Sequence, residues 1–192
     1  MSQLDIQLFY LINHFRNSIL DNILPIFSNP RFIDIFYILI SFLLLIKYSF
    51  KKYLIIFLFA VLGFFVSDFS CGEILKPYFK KERPFVSIPK VYYYSKGNFE
   101  FLSQPKNKKN TLSFPSCHAG NSSFLSFFLS FFYPRLALIL YPFFVLVGWS
   151  RIYLGVHFPF DVLGGWLFGL ILAFIFYKFC KKVLCYIKSD AK

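Results

Sequence analysis

Five stretches of this chain, 32–46, 53–66, 124–132, 136–149 and 162–176, are apolar almost throughout and nearly free of charge. A bilayer core asks for roughly 20 mostly apolar residues per helix, so each stretch, extended slightly into its flanks, reads as a membrane span. A soluble domain of this size rarely carries so much continuous apolar chain. Composition agrees: 57% of the 192 residues are hydrophobic, and thirty are Phe. The expected fold is all-α, a polytopic membrane helix bundle with about five transmembrane helices and an N-terminal interfacial helix, forming one domain over residues 1–192.

The interfacial helix is expected over 1–28, where Leu4, Leu8, Leu11, Ile12, Phe15, Ile19 and Ile23 make an apolar stripe and Asp5, Asn13, His14, Arg16 and Asp21 occupy other faces. His14 has no evident partner and reads as solvated. The same region lacks a basic start and a small-residue cleavage site, so no cleavable signal peptide is expected. Residues 77–113 differ in kind: Pro84, Pro89, Gly97, Pro105 and a Lys/Asn tract at 106–110 make an extramembrane loop long enough to be functional. Beyond the last span, 179–192 reads as a basic tail.

The formal charge of +12 sits between and beyond the apolar stretches, as it must when cations are costly at the bilayer centre. A basic rim on a membrane protein is read as contact with anionic lipid headgroups, and nucleic acid is not an expected partner. Lys80, Lys81, Lys90, Lys96, Lys106, Lys108 and Lys109 form this rim. The four cysteines, Cys71, Cys117, Cys180 and Cys185, show neither metal-ligand spacing nor a disulfide framework.

Alternating sides through five spans puts Lys76, Arg83, Ser116, His118, Arg151 and His157 at one membrane face. Cations, two histidines and a carboxylate are what phosphoryl transfer requires: positive groups for the phosphate oxygens, a nucleophile and a partner acid. His157 and Asp161 are four apart, so a helix starting between them lets Asp161 hold one ring nitrogen and free the other. His118 is the candidate donor to the leaving alkoxide. Asp68 and Glu73, in or near the second span, are either functional, as an ionisable group within a span is by default, or paired structurally with a lysine or arginine near the motif; Asn121, Ser122 and Ser123 are expected to support His118 or pack between helices.

These residues stand in three segments: Lys76-Pro-Tyr-Phe-Lys-Lys-Glu-Arg83-Pro84, Pro115-Ser116-Cys117-His118, and Ser150-Arg151-Ile-Tyr-Leu-Gly-Val-His157-Phe-Pro-Phe-Asp161. In order and spacing they resemble the signature of the phosphatidic acid phosphatase type 2 superfamily, which includes vanadium haloperoxidases. The resemblance implies that His157 becomes a phosphohistidine, that Asp161 orients it, and that His118 serves as general acid and later activates water. It implies phosphate binding by Lys76, Arg83, Ser116, Cys117 and Arg151, with backbone N–H groups at the start of the third span, and no metal or other cofactor. The family usually has glycine where this chain has Cys117. Activity is expected to survive that change, and the thiol, beside cations and a helix start, is expected to be reactive.

The chain further resembles bacterial members of that family that act on lipid A, undecaprenyl pyrophosphate or phosphatidylglycerophosphate. The first expectation is removal of the 1-phosphate of lipid A, because a long basic loop suits a large polyanionic headgroup; the motifs do not separate the three. Once the motif cations are set aside, the rest divide evenly between the two faces. Short loops and clusters weigh most, which makes 47–52 and the C-terminal tail cytoplasmic. The site then faces the periplasm, in the bacterial inner membrane. Two rivals are a haloperoxidase, which vanadate-dependent halogenation would reveal, and a non-catalytic lipid carrier or scramblase with a vestigial site, in which lipid movement would survive loss of His157.

Overall fold

The computed structural model describes residues 2–108 and 111–189, with side chains to Ile187. Among the described residues, nine α-helices and one hairpin follow in order. They are α1 (Gln3–Asn13), α2 (Ser18–Phe27), α3 (Pro30–Lys47), α4 (Phe50–Phe69), a π-helical turn (Ser70–Leu75), α5 (Lys76–Phe79), α6 (Pro84–Ser87), β1 (Val91–Ser95), β2 (Asn98–Leu102), α7 (Cys117–Phe132), a 3₁₀ turn (Pro134–Leu136), α8 (Ala137–Tyr153) and α9 (Pro159–Ser189).

The five apolar stretches become α3, α4, α7, α8 and α9. Three of the resulting helices, Phe50–Phe79, Pro134–Tyr153 and Pro159–Ile187, are long and apolar enough to cross a membrane. A fourth crossing arises if α2 and α3, bent by 64° at their junction, count as one span. Helix α7 has 16 residues and is too short by that measure. The lipid-facing surface is what such a bundle needs: Leu138 is 81% exposed, and Ile38, Leu62 and Phe65 are exposed as well.

Lipid tails are as apolar as leucine, so packing shape and hydrogen bonds must hold the helices together. Helix α7 supplies both. Tyr37 of α3 donates to the carbonyl of Ser122 at 2.7 Å and lies 2.9 Å from Ser126 Oγ. Ser126 in turn bonds the carbonyl of Leu140 on α8 at 3.1 Å. Against α9 the approach is closer still: a Cβ on Gly169 would lie 2.0 Å from Ser123 Oγ and 2.4 Å from the carbonyl oxygen of Gly120, so only glycine fits there. Around these contacts Ile56, Phe124, Phe128, Leu140, Val147 and Ala173 form the core of the bundle.

A second core, with Phe9, Leu24, Phe85, Val91, Tyr153 and Phe158, caps one end of the bundle. Two regions that contribute to it, 1–28 and 77–113, depart from the sequence-based expectation. The region 1–28 is two helices with a break at 14–17, and α1 turns its polar side inward: Asp5, Phe9 and Asn13 are buried while Leu4 and Leu11 are exposed. Asn13 satisfies both ends of its amide, donating to the carbonyls of Tyr92 and Tyr153 at 2.8 and 2.9 Å and accepting from the Tyr92 N–H at 2.9 Å. His14 bonds the carbonyl of Lys90 at 2.7 Å and so has a partner.

The loop over 77–113 is also more ordered than expected. It contains α6 and the antiparallel pair β1–β2, in register from Val91 opposite Leu102 to Ser95 opposite Asn98. Lys96 and Gly97 both have positive φ, the requirement of a two-residue hairpin turn. The tail begins as helix, because α9 continues to Ser189. At 1.5 Å per residue its 31 residues span about 46 Å, well beyond a hydrocarbon core of about 30 Å.

Candidate active site

His157 stands on the short connection between α8 and α9. The carbonyl of Arg151, in the last turn of α8, accepts from the N–H groups of Val156 and His157, each at 3.2 Å, and curls the connection back over the helix end. From outside, the Tyr94 N–H of the hairpin bonds the carbonyl of Leu154 at 3.1 Å. Pro159 then opens α9, a position where its missing N–H costs nothing. Asp161 in that first turn reaches back to accept the Phe158 N–H at 2.8 Å, one half of a capping box. The cap aims its carboxylate at the imidazole.

Both groups are enclosed: His157 is 1% exposed and Asp161 0%. The expected direct contact is not quite made, since His157 Nδ1 and Asp161 Oδ2 are 3.6 Å apart, beyond hydrogen-bond range. Ser113 fills the gap. Its Oγ lies 2.5 Å from Asp161 Oδ2 and 3.3 Å from His157 Nδ1. An ionised carboxylate only accepts, so the serine hydroxyl donates to Asp161 and accepts from Nδ1–H. Nε2 is then left with its lone pair free. Burial, with the charges of Arg151 and Arg83 adding to it and Asp161 opposing, brings His157 from 6.5 down to about 3; it is neutral at physiological pH.

The anion-binding side is built from other helix ends. Ser116 caps the start of α7, and its own N–H donates to the carbonyl of Asp161 at 2.9 Å, locking the starts of α7 and α9 together. The first N–H groups of α7 have no acceptor within the helix. Ser116 Oγ and Arg151 Nε are buried and lack a hydrogen-bond partner, while Arg151 Nη1 bonds Ser28 Oγ. Arg83 donates through Nε to the carbonyl of Leu112 at 3.2 Å, and burial lowers its affinity for a proton while nearby Tyr93 and Asp161 oppose that. Lys76 follows the π-helical turn, a distortion common at functional positions. Arg151, His157, Lys76 and Arg83 all act electrostatically on His118. The groups named from the sequence therefore meet at one end of the bundle, within a cluster able to take up an anion.

Several neighbours differ from the sequence-based reading. Cys117 is not a free thiol but is disulfide-bonded to Cys71 in the π-helical turn, with the Cα atoms 5.6 Å apart. Lys81 is no solvated rim residue: its Nζ bonds Asp161 Oδ1 at 2.6 Å and Asp5 Oδ2 at 2.8 Å. Lys106 pairs with Glu100 at 2.6 Å, and Lys80, Lys90, Lys96 and Lys108 are exposed; Lys109 lies outside the described residues. Asp68 accepts from Asn121 at 2.7 Å and not from a cation. Ser122 Oγ bonds the carbonyl of His118, not its ring.

A groove of about 780 Å³ opens beside the cluster between α3, α4 and α7. His118, Asn121 and Asp68 stand among its lining together with Tyr37, Phe64 and Leu125. An apolar furrow thus reaches the general-acid candidate from within the membrane region.

A helical membrane bundle that gathers this cluster at one end is a membrane enzyme hydrolysing phosphate esters. The sequence matches the PAP2 superfamily over residues 53–184, and the chain belongs to that superfamily. Among its relatives, the lipid A 4'-phosphatase of Bacteroides thetaiotaomicron is 25% identical, the match covering 99% of this chain and 83% of the relative. The undecaprenyl-diphosphatase of Sulfolobus acidocaldarius is 31% identical over 89% of this chain and 76% of its own. The crystal structure of Aquifex aeolicus LpxE superposes with a TM-score of 0.67 at 27% identity, covering 92% of this chain and 96% of that one.

Proposed function

We propose that this protein removes a phosphate from lipid A by a metal-independent route through a phosphohistidine. Nε2 of His157 attacks phosphorus, the ester P–O bond breaks, and His118 gives its proton to the leaving alkoxide. Water then attacks the phosphoenzyme, His118 takes up a proton from it, and the P–N bond breaks. Lys76, Arg83, Ser116, Arg151 and the N–H of Cys117 hold the phosphate oxygens, where the α7 start favours an anion. Asp161 orients the imidazole by way of Ser113. The observation that carries this reading is the pair of buried, partnerless atoms, Ser116 Oγ and Arg151 Nε, beside a histidine that is neutral when it needs to attack.

Lipid A is favoured by the exposed lysines near the site and by the full-length match to a lipid A 4'-phosphatase. The sequence-based expectation was the 1-phosphate; the relative's name favours the 4'-phosphate, so the assay must read both positions. Undecaprenyl diphosphate is the second reading, supported by the Sulfolobus relative and by a groove suited to a long apolar chain. An active site facing the periplasm across the inner membrane is supported by the Cys71–Cys117 disulfide beside it, since disulfides persist in oxidising compartments. The region 1–28 then lies along that interface, and the end of α9 emerges on the cytoplasmic side; 190–192 lie outside the described residues.

The test is phosphate release by detergent-solubilised protein from lipid A, undecaprenyl diphosphate and phosphatidylglycerophosphate in EDTA, with His157→Ala as control. Release that persists in EDTA and disappears in the variant supports the mechanism and ranks the lipids, and product mass spectra locate the phosphate lost. Release that needs added metal, or that survives in His157→Ala, overturns it.

A further inference from the structure

We propose that Lys81, held between Asp5 of α1 and Asp161 of α9, is a positioning residue for the attacking imidazole, so that α1 is a working part of the active site. The inference rests on the reading of His157 as nucleophile.

Asp5 and Asp161 are 1% and 0% exposed. Two enclosed carboxylates brought to one place are costly unless a cation stands between them. Lys81 is that cation. Its Nζ lies 2.6 Å from Asp161 Oδ1 and 2.8 Å from Asp5 Oδ2, and its side chain is only 21% exposed. The Phe158 ring closes over it at 4.7 Å. Asp5 is fixed independently, because its Oδ1 accepts the N–H of Phe160 at 2.9 Å, in the same first turn of α9 that bears Asp161.

The backbone of Lys81 completes the arrangement. Its carbonyl accepts the Ser113 N–H at 2.7 Å, and Ser113 is the residue whose hydroxyl joins Asp161 to His157. The neighbouring Glu82 and Leu112 pair as an isolated antiparallel bridge. Lys81 therefore holds one carboxylate oxygen through its ammonium group and, through its carbonyl, places the hydroxyl that holds the other. If it is lost, the carboxylate keeps Ser113 and the Phe158 N–H but is free to swing about them. Aim of the imidazole suffers while the phosphate-binding groups stay in place, so the loss falls on kcat and not on KM.

The experiment uses the full-length protein in detergent with dioctanoyl phosphatidic acid as a soluble lipid phosphate, comparing Lys81→Met, Lys81→Arg, Asp5→Asn and the Lys81→Met/Asp5→Asn double variant. Lys51→Met, at an exposed position at the start of α4, is the charge control and His157→Ala the mechanistic one. Lys81→Met is expected to lose roughly 10- to 100-fold in kcat with KM within about twofold, the size seen when an outer-shell partner that orients a ligating histidine is removed. Lys81→Arg should recover most of it, and the double variant should be no worse than Lys81→Met alone. Thermal midpoints report folding separately. If the wild type releases phosphate and His157→Ala does not, yet Lys81→Met keeps wild-type kcat, loses KM instead, or loses activity only as it loses folded protein, the positioning role is overturned and the nucleophile stands. Release that persists in His157→Ala, or none from the wild type, removes the nucleophile reading and this inference with it.

Discussion

Cys71 and Cys117 join the π-helical turn that precedes Lys76 to the residue between Ser116 and His118, closing 46 residues of chain with one disulfide. Two of the three motif segments are thereby tied covalently within a few residues of Lys76 and Ser116. The position that usually holds glycine in the family is occupied here by half of a cross-link.

Labelling follows from that bond. Without reductant, a maleimide is expected to modify exposed Cys185 and leave Cys71 and Cys117 untouched, with Cys180 protected by burial; after reduction, mass spectrometry should find Cys117 as a new site, and Cys71, buried like Cys180, only once the protein is also denatured. A loop of this length is worth about 4 kcal/mol in the chain-entropy account of disulfides. Cys71→Ser/Cys117→Gly should therefore lower the thermal midpoint while keeping activity within several-fold. Ready alkylation of Cys117 in unreduced protein would show that the bond is absent.

Ser113→Ala removes the hydroxyl between His157 and Asp161 and leaves the two 3.6 Å apart. Nδ1–H then loses its acceptor and Asp161 one of its donors. A fall in kcat of roughly 10- to 100-fold is expected, with KM little changed. Steady-state kinetics with quench-flow trapping of the phosphoenzyme would check this, and the slowed step should be its formation. An unaltered rate would mean that Asp161 reaches the ring without help.

Much of this was legible in the sequence because charge is so constrained in an apolar chain. Lys76, Arg83, His118, Arg151, His157 and Asp161 had few places to go, and the spacing of His157 and Asp161 set their common face. Lys81 was misread because its carboxylate partner Asp5 lies 76 residues away on a helix whose apolar stripe argued for the opposite orientation. The stripe faces outward, as an interfacial helix allows, but the polar residues Asp5 and Asn13 face the protein and not water. Ser113 carried no periodic or spacing signal. The hairpin did carry one, in the aromatic runs flanking Lys96-Gly97, and could have been found from it. Disulfide pairing is a statement about distance in three dimensions that cysteine spacing alone does not contain.

The depressed proton affinity of His157 has a sign that can be tested. In the folded protein it binds a proton only near about 3, against 6.5 ordinarily. Between those values the unfolded chain takes up a proton that the folded one does not, so stability falls as pH drops through that window. At pH 5 the difference is about 2 kcal/mol. The thermal midpoint in detergent should therefore fall between pH 7 and pH 5, and fall less in His157→Gln. The same shift means that phosphoenzyme formation should show no acid limb near 6.5 caused by protonation of the nucleophile. Equal pH dependence of the midpoint in wild type and variant would show that His157 is not held neutral.

If a lipid chain enters the groove between α3, α4 and α7, recognition of the tail is separable from chemistry on the phosphate. Leu125 stands on its wall, on the same helix as His118 but nearly two turns further along, and is not fully buried. Leu125→Trp places a larger ring in the furrow without touching Lys76, Arg83, Ser116 or Arg151. A substrate whose chain occupies the groove must then bind with part of it displaced, and each methylene forced out of an apolar site costs about 0.8 kcal/mol. Losing two or three such contacts raises KM roughly 10- to 100-fold. A dioctanoyl substrate, too short to reach past Leu125, should keep both kcat and KM. Parallel assays with long-chain and short-chain phosphatidic acid in the same mixed micelles would separate these cases. Equal loss on both would place the defect in α7 and its histidine, and equal activity on both would mean that the chain remains in the surrounding lipid and only the headgroup enters the protein.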